Sequence, residues 1–279
     1  MAKDRQKIIT ALIDTKGLGL EVGPCHSPVA PKSEGYNVRI VDHLATEDLR
    51  RKYAGHGLDV ERIEEVDYVW NGEPLEDLLA ADAEYDWIVA SHVIEHVPDP
   101  VSFIHSCQKV LKPGGILSLA IPDKRYCFDY LRPPSTTGGV LQAFLEKRTR
   151  HTPGQIFDSF SLAAVNGGTL AWQKGADGEV DFLHAHGLAG LMLQDYLASD
   201  GYVDIHGWVF TPSSFRLIIH DLNALGYLDI REESFTPTVG CEFFVSFRNA
   251  PAPDPAGRIG LARAALQETT PPRRSWFGR

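Results

Sequence analysis

Four short apolar runs, each stopping at a glycine, an acid or a proline, restrict this chain's fold more than anything else in it. The first is Gly17-Leu18-Gly19-Leu20-Glu21-Val22-Gly23-Pro24, and the second is Asn37-Val38-Arg39-Ile40-Val41-Asp42. The third, Tyr85-Asp86-Trp87-Ile88-Val89-Ala90-Ser91, leads into His92-Val93-Ile94-Glu95-His96-Val97-Pro98-Asp99. The fourth is Leu111-Lys112-Pro113-Gly114-Gly115-Ile116-Leu117-Ser118-Leu119-Ala120-Ile121-Pro122. Runs that stay apolar without alternating suit parallel strands covered on both faces. Between the last two, Pro98 to Lys112 reads as a helix, with apolar Val101, Phe103, Ile104, Cys107, Val110 and Leu111 and a Pro-Gly-Gly stop. Strands alternating with helices imply a doubly wound α/β sheet.

The remaining elements follow from the same signals. Strands are expected near 18–23, 37–42, 63–69, 85–91 and 115–121, with an amphipathic helix before the first, over Lys3 to Thr15. Residues 123–208 break the rhythm and form an insertion or lid within a domain spanning 1–249, with helices near 139–149, 154–165 and 188–198. Thr211 is a candidate N-cap, Pro212 the first residue of a helix running to Gly226. Tyr227 to Phe235 and Cys241 to Phe247 read as a hairpin. From 250 to 279, repeated Pro, Ala and Arg predict a disordered tail.

Composition removes several function classes. With 27 Lys and Arg against 37 Asp and Glu, the net charge of −10 argues against a nucleic-acid partner. No apolar run approaches the roughly 20 residues that cross a bilayer. Cys25, Cys107, Cys127 and Cys241 contain no CxxC pair and read as reduced thiols, so a cytoplasmic protein is expected. Oligomeric state is not readable.

The ordered motifs over 17–122, extended by the late helix and hairpin, resemble class I S-adenosylmethionine-dependent methyltransferases, the type 11 group in particular. The resemblance implies a Rossmann-like, mostly parallel seven-stranded sheet with a C-terminal antiparallel hairpin and a largely helical insertion. It also implies S-adenosylmethionine as cofactor, bound beyond the carboxyl ends of the strands. Gly23, Pro24 and Cys25 would form the cofactor loop, although Cys25 and Ser27 stand where the family usually has glycines. Thirteen residues, 24–36, separate Gly23 from the second strand and include three prolines, so no regular crossover helix is expected. Glu21 is assigned to orienting that loop or reaching the methionine amine, Asp42 to the ribose hydroxyls, and Asp67 to the adenine amino group. Ser91 and His92 would meet the methionine end.

His92-Val93-Ile94-Glu95-His96 matches an HxxEH zinc spacing. Some similar methyltransferases acting on quinone precursors use the equivalent Glu-His pair near a divalent metal, with a further glutamate where this chain has His92. Pro98-Asp99-Pro100 breaks the helix that a zinc signature needs, and no metal is expected; Glu95 and His96 are read as the floor between cofactor and substrate. Asp123, Arg125 and Tyr126 end the fifth strand, and His206 and Trp208 precede the late helix. Both segments resemble type 11 enzymes associated with surface sugars. Deprotonating a hydroxyl needs a base, for which His206 is the first candidate and Asp123 or Tyr126 the next. Arg125, His96 and Trp208 are candidate acceptor contacts; His184, His186 and Trp172 belong to the insertion. The expected activity is methylation, on oxygen by preference, of a small-molecule or sugar-containing acceptor. The competing classes are a nicotinamide oxidoreductase, which needs a GxGxxG turn that this chain lacks, and a non-catalytic cofactor-binding module.

Overall fold

A computed structural model describes residues 2–55, 57–79, 84–252 and 257–270. Strands β1 (Gly19–Val22), β2 (Val38–Asp42), β3 (Tyr68–Val69), β4 (Tyr85–Ser91), β5 (Leu111–Pro122), β8 (Arg231–Val239) and β9 (Glu242–Arg248) make one sheet. Its order is β3-β2-β1-β4-β5-β9-β8. The first five strands run parallel, and β9 lies antiparallel to both β5 and β8. From β1 the chain winds outward through β2 to β3, then returns to β4 on the other side of β1. The crevice at the carboxyl ends of β1 and β4 is therefore the switch point where open α/β sheets take ligands.

Each face of the sheet has its own cover. On one face, α3 (Leu75–Leu78), α4 (Pro100–Val110), α5 (Thr137–Leu145) and α8 (Pro212–Ala224) bury Leu20, Ile88, Phe215, Phe243 and Phe247. On the other, α1 (Ala2–Ile9) and the loop after β1 cover Val38, Trp87, Val89 and Phe244. Helix ends follow local chemistry. Asp99 accepts from the amides of Val101 and Ser102 to start α4 at Pro100. Thr211 and Ser214 exchange side chain–backbone bonds in a capping box that starts α8 at Pro212.

The first crossover holds only a 3₁₀ turn, Lys32–Glu34, as expected from its prolines. Other expectations shift. The third strand shrinks to two residues, and β5 begins four residues early, at Leu111. Helix α2 (Thr46–Tyr53), unread in the sequence, follows β2 and buries Leu49. The hairpin strand β8 carries the Thr-Pro-Thr segment through a bulge, and the turn falls at Gly240 and Cys241.

The segment between β5 and α8 contains α5, α6 (Pro153–Ser161), α7 (His186–Leu197) and a ribbon of β6 (Ala164–Asn166) with β7 (Val180–Phe182). The expected disorder beyond 250 does not extend to α9 (Arg258–Thr269), which packs on α8: Arg258 bonds Asp221, and Glu268 accepts from Ser213. Residues 253–256 and 271–279 of that expected tail lie outside the described residues.

Candidate active site

At the end of β1 the chain turns through two left-handed residues, Gly23 (φ 66°) and Cys25 (φ 48°). Such a φ is routine for glycine but strained for cysteine, which explains why a glycine is usual at that position. Glu21, fully buried, reaches forward: its carboxylate accepts from the amides of Val29 (2.6 Å) and Ala30 (3.0 Å). It therefore orients the loop, and burial pushes its pKa up to about 7. Pro24 is buried and accepts the amide of Ser27, closing a turn. Asp42 ends β2, where its Oδ2 accepts from Cys25 N (2.9 Å) and its Oδ1 from His43 N (2.8 Å). Each carboxylate oxygen takes two bonds, so Oδ2 keeps capacity for a ribose hydroxyl. With Gly23 at the switch point and an acid at the end of β2, these residues fit an adenosyl cofactor.

Ser91 and His92 close β4 beside that loop. Arg5 of α1 donates to Ser91 Oγ and grips Glu242 with two bonds (Nε–Oε1 2.6 Å, Nη2–Oε2 3.0 Å). His92, also left-handed (φ 55°), places Nε2 2.9 Å from Glu242 Oε2. Asp67 does not reach this edge. In the β2–β3 register Asp42 faces Val69, and Asp67 lies two residues earlier, accepting from Ile40 N (2.7 Å) and Lys32 Nζ (2.6 Å). The residue after β3 at the carboxyl edge is Trp70, whose amide bonds Asp42 O at 2.8 Å.

Beyond β4, four side chains converge. Glu95 is completely buried, and neither of its carboxylate oxygens has a hydrogen-bond partner among the described residues. Around its Oε1 stand His92 Nδ1 at 3.6 Å, His96 Nε2 at 3.8 Å and His206 Nε2 at 3.9 Å. His206 Nδ1 lies 2.5 Å from Asp129 Oδ2, and Arg132 bonds both Asp129 Oδ1 (2.5 Å) and His206 O (2.7 Å). Burial opposes the charge on Asp129, but His206 and Arg132 hold its pKa below the ordinary value. His96 Nδ1 lies 2.8 Å from Asp204 Oδ1. His96 and His206 open on a cavity of about 310 Å³, walled mainly by Phe128, Phe160, Leu170 and Leu183.

Other candidates lie elsewhere. Asp123 is buried and fully engaged by Arg125 and Thr238, which leaves it poorly suited to serve as a base. Arg125 and Tyr126 line a second cavity, about 480 Å³, between the hairpin turn and α9. Trp208 is buried, donating its indole N–H to Val97 O (2.7 Å) and its amide to Glu95 O (3.1 Å). It lines neither cavity but fixes the segment that carries His206. Of the insertion's other histidines, His184 lines the smaller cavity while His186 opens α7. Asp129, Asp204 and Arg5 were not legible as site residues, because each acts through a partner distant in sequence.

An open α/β sheet of order β3-β2-β1-β4-β5-β9-β8, with an acid-tipped second strand and a glycine turn at the switch point, is a frame suited to a nucleoside cofactor. Residues 19–223 match the methyltransferase domain family, and the chain belongs to it. A ubiquinone biosynthesis O-methyltransferase of Actinobacillus pleuropneumoniae is 39% identical over 89 residues, 30% of this chain and 35% of that protein. One of Cereibacter sphaeroides is 43% identical over 42 residues, 15% and 17% of the two chains. The chain thus matches about a third or less of the length of these relatives. Among solved structures, a Methanosarcina mazei SAM-dependent methyltransferase aligns at 16% identity and TM-score 0.43, over 88% of this chain and 97% of that one. The DhpI–SAH complex aligns at 15% identity and TM-score 0.42, over 91% and 86%. No described helix is long and apolar enough to cross a membrane.

Proposed function

We propose that the enzyme methylates a hydroxyl of a small, ring-bearing acceptor held in the cavity beside His96 and His206, with residues 123–208 as the lid over it. The observation that carries this is the Asp129–His206 pair. Asp129 accepts at Nδ1, so His206 keeps the Nε2 lone pair, and that atom faces Glu95 at the cavity. When bound, the cofactor supplies an electrophilic methyl group. His206 Nε2 would take the proton that the acceptor's hydroxyl gives up when its oxygen accepts the methyl group, the electron pair of the broken methyl–sulfur bond staying on the cofactor's sulfur. Glu95 and Asp129, on either side of the ring, stabilise the imidazolium. Gly23, Cys25 and Asp42 hold the nucleoside end.

Phe128, Phe160, Leu170 and Leu183 favour an apolar ring over a sugar, whose hydroxyls need polar partners. The O-methyltransferase relatives support oxygen as the receiving atom. Four free thiols suit a reducing compartment, so the reading is of a cytoplasmic enzyme. Incubating the protein with cell extract and methyl-labelled S-adenosylmethionine, then identifying the labelled product, tests it. Label on the oxygen of an aromatic or alicyclic compound supports the reading. Label on nitrogen or carbon, or on a sugar, overturns it.

A further inference from the structure

The proposed reaction leaves the larger cavity, about 480 Å³, unused. Its size is that of a small-molecule site. Tyr126 and Phe235 give it aromatic walls, stiffened by Pro212 and Pro237. Arg216, itself paired with Glu232, lies 4.4 Å from the Phe235 ring centroid and supports that ring. The polar groups of the walls are unequally engaged. Asp123, fully buried, takes Arg125 Nε and Nη2 and the Thr238 hydroxyl, and Glu268 has both oxygens on Ser213. The cations keep free donors. Arg125 Nη1 makes no hydrogen bond among the described residues, although Asp123 fixes the plane of the guanidinium. The exposed Lys174 Nζ has no hydrogen bond or ion pair among them either. A cation entering here would have to displace Arg125 from Asp123 or Ser213 from Glu268. An anion meets N–H donors that are already in place.

We propose that this cavity is a second small-molecule site and that it takes a ring-bearing carboxylate or phosphate, with the anionic group on Arg125 Nη1 and Lys174 Nζ and the ring against Tyr126 and Phe235. A planar guanidinium held along its Nε–Nη2 edge keeps the other nitrogen for such a group. The walls come from four separate parts of the chain. Arg125 and Tyr126 follow β5, Lys174 belongs to the insertion, Phe235 to β8 and Glu268 to α9. No local sequence pattern announces a site assembled in this way. The larger cavity shares no lining residue with the acceptor cavity, so the two can be filled together. No histidine is among its described lining residues, and Glu268, the carboxylate there, is bonded to Ser213. The occupant is therefore held and not deprotonated for methylation. The site stands whether or not the proposed acceptor is correct, and its test needs no turnover.

The test uses the full chain with saturating S-adenosylhomocysteine, so that the cofactor crevice is not open to the probes. Naphthoate and naphthyl phosphate are titrated in a calorimeter, beside naphthol, a ring without the charge, and inorganic phosphate, a charge without the ring. One of the two charged probes should bind one per chain with a dissociation constant of about 1 mM or tighter. Naphthol and inorganic phosphate should bind roughly 10-fold more weakly or worse. The tighter of the charged probes identifies the anionic group. Lys174→Glu should weaken binding by roughly 10-fold or more, and His184→Ala, in the wall of the acceptor cavity, should leave it unchanged. Bound probe should slow acetylation of Lys174 by acetic anhydride, read by mass spectrometry, and not that of the exposed Lys147. Arg125→Gln should abolish binding. If circular dichroism shows that this variant does not fold, Lys174→Glu and the acetylation pattern carry the test. Absence of binding by both charged probes, naphthol binding as tightly as they do, or binding that Lys174→Glu leaves intact overturns the proposal.

Discussion

Cys25 donates its backbone N–H to Asp42 Oδ2 at 2.9 Å, so the loop after β1 and the acid ending β2 form one unit. The carboxylate assigned to the ribose is aimed by the same strained turn that is proposed to hold the rest of the cofactor. Asp42→Ala should therefore weaken S-adenosylmethionine binding by about 1–3 kcal/mol, through loss of a charged acceptor and a looser turn. Calorimetric titration of the variant measures this; an affinity equal to the unmutated protein's would remove Asp42 from the site.

His206 and Asp129 should matter to turnover and not to cofactor affinity. Replacing His206 with Ala should lower the rate with the identified acceptor by roughly 100-fold or more. Asp129→Asn keeps the shape but frees the imidazole to take the wrong tautomer, so a loss of comparable order is expected. Full activity in either variant, with cofactor binding intact, rejects the assignment.

Glu21 makes stability depend on pH. Its folded pKa is raised to about 7, above the 4.5 of a free carboxyl. The stabilising contribution is therefore complete below pH 4.5 and is lost as pH rises through 7. Converted at 1.36 kcal/mol per pH unit, it is on the order of 3 kcal/mol. Urea unfolding at pH 5 and pH 8 should show the unmutated protein losing more stability across that interval than Glu21→Gln. Equal losses in the two proteins would contradict it.

Gly19 leaves room for nothing else. A Cβ there would sit 2.0 Å from Trp87 Cζ2, inside the ring's van der Waals surface, and Trp87 is fully buried with its indole on Asp14 O at 3.0 Å. Gly19→Ala should cost about 1–3 kcal/mol or more by overpacking. Chemical denaturation measures the cost, and a variant within 0.5 kcal/mol of the parent, roughly the scatter of surface substitutions, would show that the ring can shift.

The strands bordering the cofactor crevice were legible because each is a buried apolar run ending at a residue that burial cannot tolerate. The missing crossover helix was legible because Pro24, Pro28 and Pro31 leave no room for one. Asp67 misled because a two-residue strand carries no periodicity of its own, and its register is set by pairing with Val41 and Asp42. Asp123 was placed at the right strand end, yet its carboxylate is engaged by Thr238, 115 positions away. Asp129 carries no local signal for the same reason, since its partner lies 77 positions on.

Asp123 and Phe210 are bridged side by side, and Lys124 N bonds Phe210 O at 2.8 Å, so the insertion leaves and rejoins the sheet at a single point. A segment closed at its base imposes no register on the strands beneath it, and its length enters the folding free energy only logarithmically. The part beyond α5, whose Val140 and Ala143 belong to the core over the sheet, can therefore be lengthened, shortened or exchanged while the sheet edge stays as it is. In an engineered chimera, grafting within residues 146–204 should, on the proposed lid reading, change which molecules are accepted without redesign of the sheet. Such a graft leaves His206, the proposed base, where Asp129 holds it.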